Sequence, residues 1–292
     1  MILGQYDSAN IIHSNGKFYL LVGTSTSNRD HFYIVDAKTL YYENSAAVGA
    51  NLSGLTILNE QYGLVTGDGI RRIDLKSLNN VRIKNERLLC FYNSIIYNGK
   101  VLSNDTYKDE SKVKYYDVNE LIAAKEGEAP AVTELDIIQK QKINFVLAKD
   151  GNVYTLESAD NGCNIVKIKN DFTLEKVFAN FQPAKGPYHS SPTIGMVASE
   201  TENIIYLVST DGAIYKYILG DSDSLKAPFI AAESGVSITA PLQLNQQSGE
   251  LYVTYTEELK DESKIVVYSK DGKVLHTVDC GESVPSQILF NN

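Results

Sequence analysis

The chain has 292 residues, a hydrophobic content of 43% and a net charge of −9. The acidic pI of about 5.0 provides no basic surface for nucleic acid or anionic lipid, so neither is an expected partner. It contains no run of 18 apolar residues, so we expect no membrane span. The first residues, Met1–Tyr6, do not resemble a secretory leader, and localisation is not readable from them.

Seven stretches of the chain share one pattern: an apolar strand, a polar turn with Gly or Asn, and a second, alternating strand. Their spacing is about 45 residues, which is the size of a four-stranded propeller blade. Because the spacing is steady, a wrong prediction for one strand does not change the predicted positions of the others. The stretches begin at Ser8, Ser53, Asn93, Ile143, Ser191, Thr239 and Ser283.

The unit that begins at Thr239 shows the pattern most clearly. Its strands alternate with period two, and Asp271-Gly272 is a typical hairpin turn between the last two. The pattern predicts consecutive antiparallel hairpins. The four predicted strands are Leu242–Asn245, Glu250–Thr256, Lys264–Ser269 and Val274–Val278.

Several predicted third strands end in a carboxylate followed by a turn, at Asp36, Asp74 and Asp117. A carboxylate at this position accepts backbone N–H groups of the turn, so we predict a turn-forming role rather than catalysis. The stretch Val118–Gly127 has a helical pattern and is predicted to be a short insertion between two strands of one blade.

The last unit contains only its first strand, Val284–Phe290. The sequence therefore predicts an all-β propeller, a single domain over residues 1–292, with six complete four-stranded blades and a lone seventh inner strand. Two arrangements remain open. In the favoured one, a seven-bladed ring, about 40 residues preceding Met1 complete the first blade and remove the open sheet edge. In the other, a six-bladed ring carries 284–290 as an added edge strand.

The motifs of common enzyme classes are missing from the sequence, which has no GxGxxG, P-loop, HExxH or GxSxG. We therefore predict no enzymatic activity, no cofactor and no metal. The four histidines lack metal-ligand spacing and are interpreted as structural or surface residues. The three cysteines, far apart in sequence, are interpreted as buried apolar residues in preference to a disulfide. The absence of Trp argues against quinone-dependent dehydrogenase propellers.

Propeller sites are built from loops at one face of the fold, where second-to-third-strand loops and interblade loops meet. The longest interblade loop, FQPAKGPYHSSP, presents Tyr188 and His189 beside an inner strand. Tyr107 and Arg29 come from neighbouring loops of that face. We predict that these four residues bind a ligand; the alternative is that 181–192 is a plain long connection.

The segment LYVTYT that begins at Leu251, with KIVVYSKDGKVLHTVDCGESVPSQILF after it, resembles YncE-like, YVTN-type seven-bladed propellers. Leu3-Gly4-Gln5 leading into Ser8 also resembles that family. The similarity is greatest to surface-layer-protein-like lipoproteins of gut Gram-negative bacteria.

This resemblance implies a location at the cell surface or in the periplasm. Some relatives capture cobalamin and pass it to an outer-membrane transporter, so a corrinoid-like ligand or such a transporter is an expected partner. No ligand motif of the family carries over residue by residue. A scaffold without a small-molecule site and a propeller hydrolase or lyase remain as alternatives.

Overall fold

A computed structural model describes the protein over residues 8–290. It leaves out 24–29, 50–53, 68, 85–93, 105–110, 129, 140–144, 185–194, 258–261, 283, 284, 286, 287 and 289. The contacts divide the chain into two compact units, Met1–Lys140 and Gln141–Phe290. The predicted all-β class is confirmed; that residues 1–292 form one domain stays a prediction. In the described part of the chain, no helix is long and apolar enough to cross a membrane.

The first unit contains three antiparallel sheets, each with four strands in consecutive order. The first sheet comprises β1 (Ser8–Ser14), β2 (Lys17–Gly23), β3 (Asp30–Asp36) and β4 (Tyr42–Gly49). The second comprises β5 (Gly54–Ile57), β6 (Tyr62–Gly67), β7 (Gly69–Asp74) and β8 (Asn80–Lys84). The third comprises β9 (Ile95–Tyr97), β10 (Lys100–Asn104), β11 (Ser111–Asp117) and β12 (Val132–Gln139), with helix α1 (Val118–Ala123) between β11 and β12.

The second unit contains the fourth, fifth and sixth sheets. The fourth comprises β13 (Val146–Leu147), β14 (Val153–Ala159), β15 (Gly162–Ile168) and β16 (Leu174–Phe181). The fifth comprises β17 (Met196–Ala198), β18 (Ile204–Val208) and β19 (Ile214–Ile218), followed by a 3₁₀ helix (Ser222–Leu225). The sixth comprises β20 (Val236–Ile238), β21 (Gln243–Leu244), β22 (Leu251–Glu257), β23 (Ser263–Tyr268) and β24 (Val274–Gly281), with β20 and β21 both paired to β22.

The fifth sheet corrects the prediction of six complete four-stranded blades, because its fourth strand at 228–231 does not form. Only an isolated bridge joins Ile214 to Ile230. At the other end of β19, the Ser224 hydroxyl accepts from the Ile218 N–H at 2.9 Å. The proline at 228 has no N–H for a ladder, and the 3₁₀ turn satisfies the strand edge instead.

The predicted seventh inner strand, 284–290, lies largely outside the described residues. Pro285, Ile288 and Phe290 are described there, and none of the three belongs to a strand. Phe290 packs edge-on against Tyr252 with ring centroids 5.0 Å apart. The Thr254 hydroxyl donates to the Pro285 carbonyl at 3.3 Å. Pro285 and Phe290 therefore meet the face of the sixth sheet that carries Tyr252 and Thr254, and the seventh strand stays a prediction.

The carboxylates at the ends of third strands form turns, as predicted. Asp36 accepts from the Thr39 N–H at 2.7 Å, and Asp74 accepts from the Ser77 N–H at 2.7 Å. A hydrogen bond from the Thr39 hydroxyl is the largest influence that lowers the pKa of Asp36. For Asp74, the hydrogen bond from the Ser77 N–H is the largest influence that lowers the pKa.

Helix α1 confirms the predicted insertion within one sheet. The Asp117 carboxylate caps its N-terminus by accepting from the N–H groups of Asn119 at 2.8 Å and Glu120 at 3.1 Å. Leu121 is fully buried in the core between the second and third sheets. Arg72, from β7, donates to the Ala124 carbonyl at 3.0 Å, so the C-terminal end is also held to the neighbouring sheet.

Successive sheets within each unit pack face to face around apolar cores. The turns after Asp36 and Asp74 have the same backbone conformation, but their side chains differ in how far a neighbouring sheet buries them. Leu40 and Leu78 occupy the same turn position, with φ of 57° and 58°. Leu78 is 5% exposed in the core between the first and second sheets, whereas Leu40 is 68% exposed.

We predict that this difference decides the stability effect of the same substitution at the two positions. Leu78→Ala should lower the free energy of unfolding by about 2–4 kcal/mol, because it leaves a cavity in a core. Leu40→Ala should change it by less than about 0.5 kcal/mol in the 292-residue chain. Denaturant unfolding of both variants measures this, and equal losses would contradict the assignment of Leu78 to the core.

Candidate functional site

Seven of the eleven buried polar side chains among the described residues lie toward one end of the strands, where second-to-third-strand loops and intersheet loops begin and end. At the opposite end the turn carboxylates Asp36 and Asp74 are half-buried on their turns. The buried set consists of hydroxyl and amide groups and one carboxylate. Its members are Asp30, Thr66, Ser103 and Gln139 in the first unit, and Asn164, Ser209 and Ser263 in the second.

All four residues predicted to bind a ligand lie outside the described residues. Tyr188 and His189 fall within 185–194, Tyr107 within 105–110 and Arg29 within 24–29. Their role therefore stays a prediction. The strands that carry these loops are described, and Asp30 and Ser103 stand beside two of them.

The base of the loop that carries Tyr188 and His189 is anchored to the fifth sheet. The Ala184 N–H donates to the Val208 carbonyl at 2.8 Å, and the Thr210 N–H donates to the Gln182 carbonyl at 2.9 Å. The Gln182 amide donates to the Asn161 carbonyl at 2.8 Å. These bonds fix the point where the loop leaves the sheet, so its residues start from a rigid base.

An apolar depression lies at this base in the second unit. It contains about 190 Å³ of empty space, part of it open to solvent. Ala184 and Gly195, the described residues on either side of 185–194, belong to its wall. The side chains around it leave no room for a water molecule, so the depression is a shallow apolar surface and not a cavity that encloses a ligand. Its lining consists of Leu156, Phe181, Pro183, Ala184, Gly195, Met196, Leu207 and Val208.

Among the described residues, burial and hydrogen bonds shift pKa values away from neutrality. Burial raises the pKa of Tyr206 to about 12 and that of Cys163 to about 11. At the loop end, hydrogen bonds from the Ser209 hydroxyl and the Ala213 N–H lower the pKa of Asp211. Proton transfer at neutral pH favours groups that titrate near pH 7. The shifts of Tyr206, Cys163 and Asp211 move their pKa values further from 7.

Three predicted structural histidines are described, and two of them contact aromatic rings. His13 lies 5.1 Å from the Phe18 ring and His31 lies 6.0 Å from the Tyr33 ring, measured between centroids. His276 is exposed on β24. Across the residues that the structure describes, no three His, Cys, Asp or Glu side chains are placed to hold a metal ion.

The predicted burial of the cysteines is confirmed for Cys163 and wrong for Cys280. Cys163 is 5% exposed and packs in the core between the fourth and fifth sheets. Cys280 is a free thiol of intermediate exposure, because β24 is the outermost strand of the sixth sheet and its side chains are largely uncovered. Cys90 lies outside the described residues.

The depression was not found from the sequence, and the polar residues near strand ends were visible only as a composition. Leu156, Met196 and Val208 read only as core residues, and their meeting at a loop base depends on how two sheets stack. The available signal was the recurrence of Ser, Thr, Asn and Gln near the ends of second, third and fourth strands.

A family model described as a domain of unknown function, DUF5074, matches residues 3–291. The chain belongs to the DUF5074 family. No curated protein matches it. A crystal structure of a quinoprotein alcohol dehydrogenase-like protein from Bacteroides thetaiotaomicron is 98% identical, with a TM-score of 0.95. The match covers all of this chain and 70% of that one.

More distant structures show that this DUF5074 chain has a β-propeller fold. The β-propeller domain of Cps50 (Swd1) from Myceliophteria thermophila is 12% identical with a TM-score of 0.56, covering 96% of this chain and 91% of that one. A streptogramin B lyase is 14% identical with a TM-score of 0.54, covering 94% and 84%. At these identities the likeness concerns the fold alone.

We predict that the loop base depends on Gly162, the φ +105° residue that begins β15. A Cβ there would lie 2.5 Å from the Phe181 carbonyl oxygen and 2.5 Å from the Gln182 amide nitrogen. Gly151 has φ +75° and open space around it, so it is the matched control. Gly151→Ala should cost about 1 kcal/mol of stability from backbone strain alone.

Gly162→Ala should cost at least about 2 kcal/mol more, because backbone atoms at the loop base must move. Thermal and denaturant unfolding measure both variants. Equal losses would show that Phe181 and Gln182 are not held against Gly162.

Proposed function

We propose that this DUF5074 propeller is a non-enzymatic binding protein of the cell surface or periplasm. It captures a nutrient ligand and docks to an outer-membrane uptake system. The carrying observation is that buried hydroxyl and amide groups recur, within each unit, at the loop ends of the strands. In the second unit one of them, Ser209, directly follows Val208 in the wall of the apolar depression at the base of the longest loop. Hydrogen-bonding rims around apolar surface are typical of ligand sites.

The ligand class that suits this arrangement is a planar molecule with amide or hydroxyl groups at its edge. Ser103 and Gln139 in the first unit and Asn164 in the second are buried at strand ends from which loops start, and each interacts with other residues of the chain. They hold the strand ends in place, and the polar contacts to the ligand are assigned to the loops. Tyr188 and Tyr107 would add broad contact area with few rotors to order on binding. A corrinoid has this shape and rim, and the resemblance to YncE-like surface propellers favours it.

A seven-bladed ring is the finer architecture that we propose with this function. Residues 284–290 would form the innermost strand of the seventh blade. The contacts of Pro285 and Phe290 with the face of the sixth sheet support this placement.

The name of the 98%-identical relative raises a second candidate, a quinone-dependent dehydrogenase. The residues at hand do not fit that cofactor. The chain has no Trp to stack on a quinone ring. In the described ranges, no carboxylate cluster is arranged to hold the accompanying cation. We derive no reaction step through a quinone. A hydrolase or lyase would need an acid–base pair, which the shifted pKa values do not supply.

We predict that calorimetric titration of the protein against cobalamin, haem and a glycan panel identifies a ligand, with cobalamin the first expectation. Tyr188→Ala should then weaken binding at least about 30-fold, since truncation of a true anchor costs about 2 kcal/mol or more. Its melting temperature should stay within about 2 °C, because the change leaves the described sheet cores intact.

Tyr41→Ala is the matched control, because Tyr41 is 76% exposed on a third-to-fourth-strand turn at the opposite end of the strands. It should leave affinity unchanged. Titrations in which no compound binds would favour a protein–protein scaffold. A ligand whose affinity survives Tyr188→Ala would place the site on another loop. Dye-linked alcohol oxidation after loading with a quinone would contradict the non-enzymatic proposal.

A further inference from the structure

One carboxylate of the second unit lies at the loop end of the strands, on the border of the apolar depression. Asp211 is exposed on the turn that joins β18 to β19. Val208, the last residue of β18, belongs to the wall of the depression. The turn that carries this charge therefore borders a shallow apolar surface at the base of the longest loop.

Backbone contacts fix this turn to the base of the loop. The Thr210 N–H donates to the Gln182 carbonyl at 2.9 Å. An isolated bridge also joins Ser209 to Pro183, another residue of the depression wall. The backbone immediately before Asp211 is therefore held, and the Asp211 side chain starts from a fixed point beside the depression.

The Asp211 carboxylate is held as well as its backbone. Its Oδ1 atom accepts hydrogen bonds from the Ser209 hydroxyl and, at 3.1 Å, from the Ala213 N–H. The bond from Ser209 is the largest influence that lowers the pKa of Asp211, so the group is ionised at neutral pH. From the described residues, no hydrogen-bond donor or cation reaches its other oxygen, Oδ2. The turn thus presents an exposed, negatively charged acceptor whose position is set before a ligand arrives.

We propose that Asp211 is a specificity-determining residue of the proposed ligand site and selects ligands whose edge carries a hydrogen-bond donor. This inference rests on the proposed function and adds the chemistry of one contact to it. An ionised carboxylate only accepts hydrogen bonds, so the ligand group that meets Oδ2 is an amide, a hydroxyl or an ammonium. Charge-assisted bonds of this kind are about twice as strong as neutral ones, and apolar surroundings strengthen them further.

The same charge acts against ligands that bring a carboxylate to this edge of the site. Like charges brought together lower affinity, so the contact discriminates between ligands as well as attracting one class of them. Cobalamin carries neutral carboxamides around its ring, whereas haem carries carboxylates. Hydrolysis of one carboxamide turns cobalamin into a monocarboxylate of nearly the same shape. The two compounds therefore form a matched pair for this contact.

Asp171 provides the control, because a similar turn holds it at the opposite end of the strands in the same unit. Its Oδ1 atom accepts from the Thr173 N–H at 3.0 Å and from the Thr173 hydroxyl at 2.6 Å. It is exposed on the turn between β15 and β16, and these hydrogen bonds, the one from the hydroxyl first, lower its pKa. Replacement by Asn removes the charge and keeps the side-chain size at both positions.

The test is calorimetric titration of wild type, Asp211→Asn and Asp171→Asn with cobalamin and with each of its isomeric monocarboxylates. Asp211→Asn should bind cobalamin at least about tenfold more weakly, because a charge-assisted hydrogen bond is lost. Asp171→Asn should stay within about twofold of wild type, since it is distant from the contact. At least one monocarboxylate should bind wild type at least about tenfold more weakly than cobalamin, and Asp211→Asn should reduce this difference to less than about threefold.

Other donor groups are tested in the same format. A neutral glycan and the corresponding uronic acid form the equivalent pair for a hydroxyl-edged ligand, and an amino sugar covers the ammonium. The melting temperatures of Asp211→Asn and Asp171→Asn should agree within about 2 °C, which separates a lost contact from a damaged turn.

The outcomes distinguish this inference from the proposed function. If a ligand binds and Asp211→Asn keeps wild-type affinity, or if both variants lose affinity equally, the role of Asp211 is overturned and the proposed function is not. If no compound binds, both are overturned. Tighter binding of haem than of cobalamin by wild type would overturn the selection of donor-edged ligands.

Discussion

The burial of one antiparallel sheet against the next is the constraint on which the rest of this structure depends. A four-stranded meander satisfies its backbone hydrogen bonds internally, but it leaves an apolar face that must be covered. Full burial of a side chain such as Ile165 or Leu156 contributes about 1.5–3 kcal/mol relative to exposure. The sheets supply this stabilisation. The residues in the middle of the loops at the strand ends are therefore not needed for it. Ligand contacts on those loops can then differ between relatives without loss of the fold.

Much of the fold follows from local sequence pattern. The repeat of apolar strand, Gly or Asn turn and alternating strand located the first strand of the first five sheets, because turn chemistry and period-two alternation are local properties. In the sixth sheet the predicted Leu242–Asn245 matches β21, and β20 (Val236–Ile238) was missed. The turn-forming roles of Asp36 and Asp74 were predictable for the same reason, because they depend on local turn chemistry. The fifth sheet was not, since an isolated bridge at Ile230 and a 3₁₀ turn satisfy the strand edge in place of a fourth strand. The burial of Cys280 was also misjudged, because alternation does not tell whether a neighbour covers an outer strand.

For the candidate site too, features that depend on local sequence were predictable, and features that depend on contacts between distant residues were not. Hydroxyl and amide residues near strand ends were visible as a composition, and they suit ligand binding better than proton transfer. The apolar depression was not visible, because Leu156 and Met196 are distant in sequence and meet only through the stacking of two sheets. Because the same sheet motif recurs within one chain, equivalent positions in two sheets can be compared directly. The contrast between Leu78 and Leu40 is informative because their backbones are equal and only their surroundings differ.

Amide hydrogen exchange on the 292-residue chain tests the central role of sheet cover most directly. Strands β16 and β24 are the matched pair, since each is the fourth and outermost strand of its sheet. Phe178 of β16 is half-buried against the core between the fourth and fifth sheets, whereas Val278 of β24 is 51% exposed. If cover by the next sheet determines local stability, the amides of β16 should exchange at least about tenfold more slowly than those of β24. Equal protection of the two strands would contradict the account.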